Sequence, residues 1–203
     1  MAVGQYQVAG TQRMPPRLYL IRHGETEWSL AGRHTGRTDI PLTAQGELDA
    51  RQLGERLRAV SITRAFTSPR QRAQRTAALV GLTPVPEIEP DLAEWDYGDY
   101  EGQLSVDIRK GRPDWSLFRD GCPHGELPAQ VSDRADRIIA RLRALDGNVA
   151  LVSHGHFGCV LGVRWIGLPV IDGQKFLLDT ASLSILGHAA TRPESPVIAL
   201  WNS

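Results

Sequence analysis

Three short apolar runs in the sequence each lead into residues that could bind or attack an anion. The first run ends at Arg22-His23, the second is followed by Arg72, and the third by His154. If the runs are parallel neighbours in one sheet, these side chains meet at the carboxyl ends of the strands, where open α/β sheets bind ligands. Two arginines and two histidines, with no lysine or carboxylate cluster beside them, favour a compact dianion such as phosphate.

Each of these residues also has a purely structural interpretation. Arginines most often form surface ion pairs, and a histidine after a strand is often only a polar residue at the strand end. His154 and His156 could begin a metal site, but such a site needs further ligands, and no cysteine or carboxylate lies beside them. The sequence therefore predicts no metal site.

The elements that must position these residues alternate between strand and helix. Apolar runs predict strands at residues 18–21, 64–67, 149–152, 183–186 and 197–200. Helical spacing of apolar residues predicts a helix capped by Thr43 that reaches Val60, a helix over about 70–80, one along the stripe Val131–Leu145 and one over about 157–166. The alternation predicts an α/β fold, a three-layer αβα sandwich with a mostly parallel central sheet.

The same pass along the chain predicts its domain organisation. Residues 17–203 are expected to form a single domain, preceded by a disordered tail over residues 1–16. The segment of about 84–128 is rich in proline, glycine, tryptophan and acidic residues. We expect it to form a loop-rich cap with one short helix near residues 106–108.

Composition excludes several classes of protein. The chain has 203 residues, of which 41% are hydrophobic and 23% charged, which excludes a disordered, collagen-like or disulfide-rich chain. With 23 basic and 23 acidic residues, it has no charge excess that would favour nucleic acid or an anionic membrane as a partner. Cys122 and Cys159 are predicted to be free thiols, and the first residues lack the pattern of a secretory signal, so we expect a cytoplasmic protein.

Four motifs in order resemble those of the histidine phosphatase superfamily, which has the phosphoglycerate-mutase-like fold. The first contains Arg22-His23-Gly24, the second runs from Ser68 to Ala77, the third carries Glu94 with Tyr97-Gly98, and the fourth is Ser153-His154-Gly155-His156. Together they cover roughly residues 17–190. The match is closest to the branch that includes sedoheptulose bisphosphatase and related acid phosphatases.

The resemblance implies a role for each of five residues. His23 would be the nucleophile and form a phosphohistidine. Arg22, Arg72 and His154 would bind the oxygens of the transferring phosphoryl group, and Glu94 would act first as general acid and then as base. Arginines and a histidine could then supply the positive charge that other phosphotransferases take from Mg²⁺, so no cofactor is expected.

Three further residues are expected in the pocket by resemblance alone, namely Glu25, Thr35 and Gly36. The chain also departs from the family pattern at three positions. Cys159 stands where the branch usually has an arginine, Leu127 where the family often has a hydroxyl residue, and His34 where an aromatic residue is common. All three positions belong to substrate recognition, so the resemblance implies the reaction more firmly than the substrate.

The predicted function is a metal-independent phosphatase that hydrolyses small phosphate monoesters, sugar phosphates among them. Its partner would be a small phosphorylated metabolite, and a homodimer is an expectation from the family. A phosphoglycerate mutase that depends on 2,3-bisphosphoglycerate is the alternative, but true mutases carry a longer basic insertion after the acid loop. A non-catalytic phosphate-binding module and a metal hydrolase are the remaining alternatives.

Overall fold

A central sheet with helices on both faces organises the chain. In a computed structural model that describes residues 15–203, the strands have the order β3-β2-β4-β1-β5-β6. They are β1 (Arg17–Arg22), β2 (Ile62–Thr67), β3 (Glu87–Ile88), β4 (Asn148–Ser153), β5 (Leu183–Ala189) and β6 (Arg192–Leu200). Strands β1 to β4 are parallel to one another, β5 is antiparallel to β1, and β6 is antiparallel to β5. The predicted mostly parallel α/β fold is confirmed, while residues 1–14 of the predicted tail lie outside the described residues.

Two helical layers enclose the sheet. The helices are α1 (Glu27–Leu30), α2 (Ala44–Leu57), α3 (Gln71–Val80), α4 (Ser105–Gly111), α5 (Leu117–Asp120), α6 (Pro128–Arg143) and α7 (Gly155–Trp165). Successive residues of β1 point to opposite faces, so Leu18 and Leu20 join the core under α6 and α7, while Tyr19 and Ile21 join the core under α2 and α3. Burial on both faces explains why the strand sequences are continuously apolar rather than alternating.

Local signals in the sequence set the ends of α2 and α3. The Thr43 hydroxyl accepts a hydrogen bond from the Gly46 amide at 3.0 Å and caps α2, as predicted. Helix α2 ends at Leu57, so Val60 lies beyond it and packs against the same core from outside the helix. Gly81 ends α3 in the left-handed conformation, with φ of 73°, which a glycine adopts without strain.

The cap segment contains more regular structure than the sequence predicts. The short helix expected near residues 106–108 is present as α4, but the segment also forms β3, α5 and 3₁₀ turns at Pro90–Leu92 and Gly98–Tyr100. Strand β3 has two residues, both exposed, so it shows no apolar pattern. Helix α5 has four residues, which is too few for a helical period to appear.

Strand register brings three loops to one edge of the sheet. Arg22 at the end of β1 pairs with Ser153 at the end of β4, and Thr67 at the end of β2 pairs with Val152. The His23 amide donates to the Ser153 carbonyl at 2.9 Å, which continues the β1–β4 ladder by one residue. The residues that follow the three strands therefore emerge side by side.

Two leucines of α2 provide a matched test of this core. Leu53 is 2% exposed and faces the sheet, whereas Leu48 in the same helix is 48% exposed. Leu53→Ala should lower the free energy of unfolding by about 2–5 kcal/mol, because it leaves a cavity in the core. Leu48→Ala should change it by less than about 0.5 kcal/mol. Urea unfolding of both variants measures this, and equal losses would contradict the described packing of α2.

Candidate active site

A cleft of about 330 Å³ opens at the carboxyl edge of the sheet. Four of the predicted site residues line it, namely Arg22, His23, Thr35 and Glu94. Its other lining residues come from the segments after β1, from the cap, from the start of α7 and from the loop before β5: Ser29, Gly32, Arg33, His34, Tyr97, Ser105, Gly155, His156, Cys159, Phe176, Leu177 and Leu178.

His23 is held with one nitrogen fixed and the other directed at Arg72. Its Nδ1 lies 2.7 Å from the Gly24 carbonyl oxygen, so this nitrogen carries the proton and donates. Its Nε2 accepts from the Arg72 Nε–H at 3.3 Å. Burial, together with the charges of Arg72 and Arg22, lowers the pKa of His23 well below 6.5. The ring is therefore neutral, and its lone pair is on Nε2.

Arg72 fastens the loop after α1 to His23. Its side chain is fully buried, and its terminal nitrogens donate to the carbonyl oxygens of Thr35, Gly36 and Thr38 at 2.8, 3.2 and 2.9 Å. Burial lowers the pKa of Arg72 from its ordinary value. The structure brings this predicted residue to His23, but Arg72 is not among the residues that line the cleft, and backbone carbonyls occupy its guanidinium.

His154 is likewise not among the residues that line the cleft. It is fully buried, its Nε2 lies 2.7 Å from the Ser68 hydroxyl, and its ring centroid is 5.1 Å from that of His23. Burial and the nearby Arg72 lower the pKa of His154 well below 6.5, so this ring is neutral too. Its Nδ1 has no hydrogen-bond partner among residues 15–203.

Arg22 presents an unsatisfied donor next to the cleft. One terminal nitrogen donates to the Leu178 carbonyl, but the buried Nε–H lacks a partner in the part of the chain that the structure describes. A side chain at Gly155 would place its Cβ 3.3 Å from the Arg22 guanidinium carbon, so glycine permits this close approach. Since buried donors are normally paired, this unpaired N–H makes Arg22 a candidate anion-binding residue.

Glu94 occupies the N-terminus of α7. One carboxylate oxygen accepts from the amides of Trp95 and Phe157 at 2.9 and 2.8 Å, and the other accepts from the His156 amide at 3.1 Å. The amides at a helix start attract negative charge, and here a side chain takes the place that a bound anion could have. This anchoring distinguishes Glu94 from the neighbouring acidic residues, which the spacing of the sequence does not.

The acidic cap residue Glu101 makes a contact that the sequence does not reveal. The sequence gives no reason to separate it from a solvated acidic loop, yet it is half-buried and accepts from the amides of Gly36 and Thr38 at 3.0 Å. Glu101 thus orders the same loop whose carbonyls hold Arg72. The contact joins Glu101 to two residues that lie 65 and 63 positions earlier in the chain, so no local pattern of the sequence could reveal it.

The three pocket residues expected from resemblance alone lie in different places. Thr35 lines the cleft, and its hydroxyl donates to the Arg33 carbonyl at 3.0 Å. The Glu25 carboxylate instead accepts from the Thr43 hydroxyl at 2.7 Å, at the start of α2 and outside the cleft lining. Gly36 does not line the cleft either, and a Cβ at this position would come within 2.6 Å of the Trp95 carbonyl oxygen.

Sequence reasoning missed an aromatic cluster on the cleft wall. The Tyr97 hydroxyl lies 2.6 Å from Nδ1 of His156, and the His34 ring packs 4.7 Å from that of Tyr97. Burial lowers the pKa of both His34 and His156 to about 4, so these rings are neutral. The histidine two residues after His154 was a visible signal, but its tyrosine partner is 59 residues away in the chain.

Another part of the lining is a strap of residues 176–178, which is held in place by Trp201 and Asn202. Its central residue, Leu177, has a side chain that is 78% exposed. The Trp201 indole N–H donates to the Leu177 carbonyl at 2.6 Å, and the Asn202 amide donates to Asp179 at 2.8 Å. Cys159 lies behind this strap and donates to the Phe176 carbonyl at 3.4 Å.

Two kinds of feature, a metal-binding cluster and a membrane-spanning helix, are absent from the described residues. Between residues 15 and 203, no three histidine, cysteine or acidic side chains are grouped in a way that could hold a metal ion. Within the same residues, no helix is both long and apolar enough to span a membrane. Both cysteines are buried free thiols, as predicted.

Comparison with known proteins supports the same interpretation. The family described as the histidine phosphatase superfamily (branch 1) matches residues 18–203. An acid phosphatase of Mycobacterium tuberculosis is 46% identical over 175 residues, covering 84% of this chain and 86% of the relative. Sedoheptulose 1,7-bisphosphatase of Saccharomyces cerevisiae is 32% identical over 252 residues, covering 92% and 93%. A solved structure of an open reading frame product of M. tuberculosis has a TM-score of 0.85 at 42% identity, covering 92% and 96% of the two chains.

The fold, the buried histidines and arginines at one sheet edge, and the phosphatase relatives together define a phosphatase. The chain belongs to the histidine phosphatase superfamily, as its four motifs implied. Relatives named as phosphoglycerate mutases are matched as well, at 35% identity for one from Photorhabdus laumondii.

The buried neutral histidines predict how stability depends on pH. The pKa of His34 is about 4 in the folded protein and near 6.5 when unfolded, so between these pH values the unfolded state binds more protons. The free energy of unfolding should therefore decrease as the pH falls through this window, by up to about 1.4 kcal/mol per pH unit for this histidine.

Urea unfolding of His34→Gln and the native chain between about pH 7 and pH 5 tests this expectation. The variant should show a shallower loss, smaller by up to about 1.4 kcal/mol per pH unit. The difference between the two proteins at pH 8, where histidines are neutral in both states, measures any effect unrelated to protons. Parallel curves would show that His34 is not kept neutral by folding.

Proposed function

We propose that this chain hydrolyses small phosphate monoesters through a phosphohistidine on His23. The observation that carries the proposal is the state of His23, whose proton is fixed on Nδ1 by the Gly24 carbonyl while Nε2 keeps its lone pair. A neutral imidazole in this orientation is a competent nucleophile. Three supporting features surround it: the unpaired Nε–H of Arg22, the buried Arg72 and the carboxyl group of Glu94 on the cleft wall.

The first step transfers the phosphoryl group to the protein. His23 Nε2 attacks phosphorus, the Nε2–P bond forms and the bond from phosphorus to the ester oxygen breaks. Glu94, in its protonated form, gives its proton to the departing oxygen, because an alkoxide is a poor leaving group. Arg22 would stabilise the charge on the phosphoryl oxygens through its unpaired N–H. In this proposal Arg72 and His154 contribute to the same oxygens once a phosphate displaces their present partners.

The second step restores the enzyme. Glu94, now a carboxylate, takes a proton from a water molecule while the water oxygen attacks phosphorus. The Nε2–P bond breaks, inorganic phosphate leaves, and His23 is again neutral with its proton on Nδ1. One carboxyl group thus donates the proton in one half of the reaction and receives one in the other.

The cleft favours a small polar leaving group such as a sugar. Its volume of about 330 Å³ is suited to a small metabolite. The strap of residues 176–178 contributes apolar side chains, and Ser29, Thr35 and Ser105 add hydroxyl groups to a lining that also contains Arg33. A sugar offers hydroxyls to the polar groups and C–H groups to the apolar side chains. We also propose the cytoplasm as the compartment, supported by the two free thiols.

The nucleophile is tested by phosphate release in the presence of EDTA. His23→Ala should lower kcat by at least about 10⁴-fold toward p-nitrophenyl phosphate, since no other group replaces the attacking nitrogen. The native protein should keep its activity with EDTA and yield a phosphorylated peptide that contains His23 after an alkaline quench. Activity that survives His23→Ala would overturn the proposal. Isomerisation of 3-phosphoglycerate with added 2,3-bisphosphoglycerate, without phosphate release, would identify a mutase instead.

The acid role of Glu94 is tested by the leaving group. Glu94→Gln should lower kcat/KM, which reports the first step, by about 10²- to 10⁴-fold for glycerol 3-phosphate, whose alkoxide needs a proton. The loss should stay below about 10-fold for p-nitrophenyl phosphate, because p-nitrophenolate leaves without one. Glu27→Gln, at an exposed position of α1, is the matched control. Equal losses on both esters would show that Glu94 does not protonate the leaving group.

A further inference from the structure

The His156 side chain combines a fixed nitrogen with one that faces the cleft. Its Nδ1 lies 2.6 Å from the hydroxyl of Tyr97, a residue that is 1% exposed. Its Nε2 has no hydrogen-bond partner among residues 15–203. This nitrogen is not fully buried, so it is accessible. His156 also lines the cleft. The proposed reaction steps give this side chain no role.

The chemistry of the pair decides which atom carries the hydrogen. Burial and the charge of Glu94 raise the pKa of Tyr97 well above 10, so the phenol keeps its proton. Burial and the charge of Arg22 lower the pKa of His156 to about 4, so its ring has one N–H. A phenol is the better donor and an imidazole nitrogen the better acceptor, and no other acceptor for the phenol lies among the described residues. The Tyr97 hydroxyl therefore donates to Nδ1, which leaves the ring hydrogen on Nε2.

His156 lies next to the residue assigned to the leaving group. The His156 amide donates to Glu94 at 3.1 Å, and Glu94 is the residue assigned to the departing oxygen. His34 packs beside the pair, with its ring 5.7 Å from that of His156. Both histidine rings are neutral, so they offer hydrogen bonds without a positive charge of their own. Arg33 also lines the cleft, and its guanidinium donates to the Gly102 carbonyl at 2.8 Å.

We propose that His156 is a substrate-binding residue whose Nε2–H donates to a hydroxyl of the leaving group, and that Tyr97 is a positioning residue that fixes this tautomer. The proposal rests on the function proposed above, since it assumes that Glu94 marks the leaving-group side of the cleft. It narrows the substrate class to phosphate esters of polyols, with a hydroxyl near the esterified oxygen.

Two esters of equal chain length provide the test. Glycerol 3-phosphate carries hydroxyls next to the ester, and propyl phosphate has none. Each is measured as a competitive inhibitor of p-nitrophenyl phosphate hydrolysis, which works whether or not it is itself hydrolysed. The native protein should bind glycerol 3-phosphate more tightly, and His156→Phe should weaken that ester by about 5- to 10-fold while it changes propyl phosphate by less than about 2-fold.

Two further variants separate positioning from structure. His156→Gln keeps an acceptor for Tyr97 and an N–H for the cleft, so it should recover most of the lost binding. Tyr97→Phe should weaken glycerol 3-phosphate by about 2- to 5-fold and leave propyl phosphate unchanged, because the ring remains and only the tautomer is released. Equal losses on both esters, no loss on either, or no preference in the native protein would overturn the proposal.

A spectroscopic measurement tests the tautomer without turnover. Nitrogen-15 NMR of the labelled full chain should show the His156 hydrogen on Nε2 near neutral pH, and Tyr97→Phe should shift the population toward a mixture of tautomers. A hydrogen on Nδ1 in the native protein would overturn the inference. Failure of the proposed function is recognised separately, because it would appear as activity that survives His23→Ala.

Discussion

The parallel register of β1 against β4 is the constraint on which the site depends. It pairs Arg22 with Ser153, and the next residues along the two strands are His23 and His154. A shift of one residue would send one histidine to the opposite face of the sheet, because side chains alternate along a strand. Strand β2 flanks β4 on its other side and brings Ser68 to His154. Most of the apolar core can be understood as the support that fixes this register.

Charge is handled in this site by burial and by backbone groups rather than by ion pairs. Arg72 is surrounded by carbonyl oxygens, and Glu94 by amide hydrogens. Such partners satisfy a buried charge without neutralising it, so the charge stays available to a substrate that displaces them. The histidines respond in the opposite way, since burial beside arginines keeps their rings uncharged. A region of low dielectric thus holds a neutral imidazole next to fixed positive charge.

Much of the fold and part of the site could be predicted from the sequence, and the limits have physical causes. Apolar runs and helical spacing identified the long elements, because the burial of one or both faces of an element produces a regular pattern of apolar residues along it. Strand β3 and helix α5 were not predicted, because they are too short to show such a pattern. The residues after the strands were found because strand ends converge. Contacts such as Glu101 with Gly36 were not, because they join distant segments through single hydrogen bonds.

The same reasoning explains why Glu94 could be placed only by resemblance. It lies in a run that also contains Asp96 and Asp99, and nothing in the local sequence separates the three. What separates them is the start of α7, about 60 residues further along the chain, which supplies its amides to Glu94 alone among them, whereas Asp96 pairs with Arg37 and Asp99 with His124. Similar side chains thus acquire different tasks from the tertiary contacts that each one receives.

The strap over the cleft has a consequence for handling the protein. Its central carbonyl is held by Trp201, and the following turn is held by Asn202, so these two residues support one part of the cleft lining without lining it themselves. Removal of residues 201–203 would delete these hydrogen bonds, the packing of Trp201 against the core and the two backbone hydrogen bonds between Ser203 and Leu183. We expect protein that lacks them to be less stable and to differ in which esters it accepts. Intact mass is therefore a necessary check before substrate preferences of different preparations are compared.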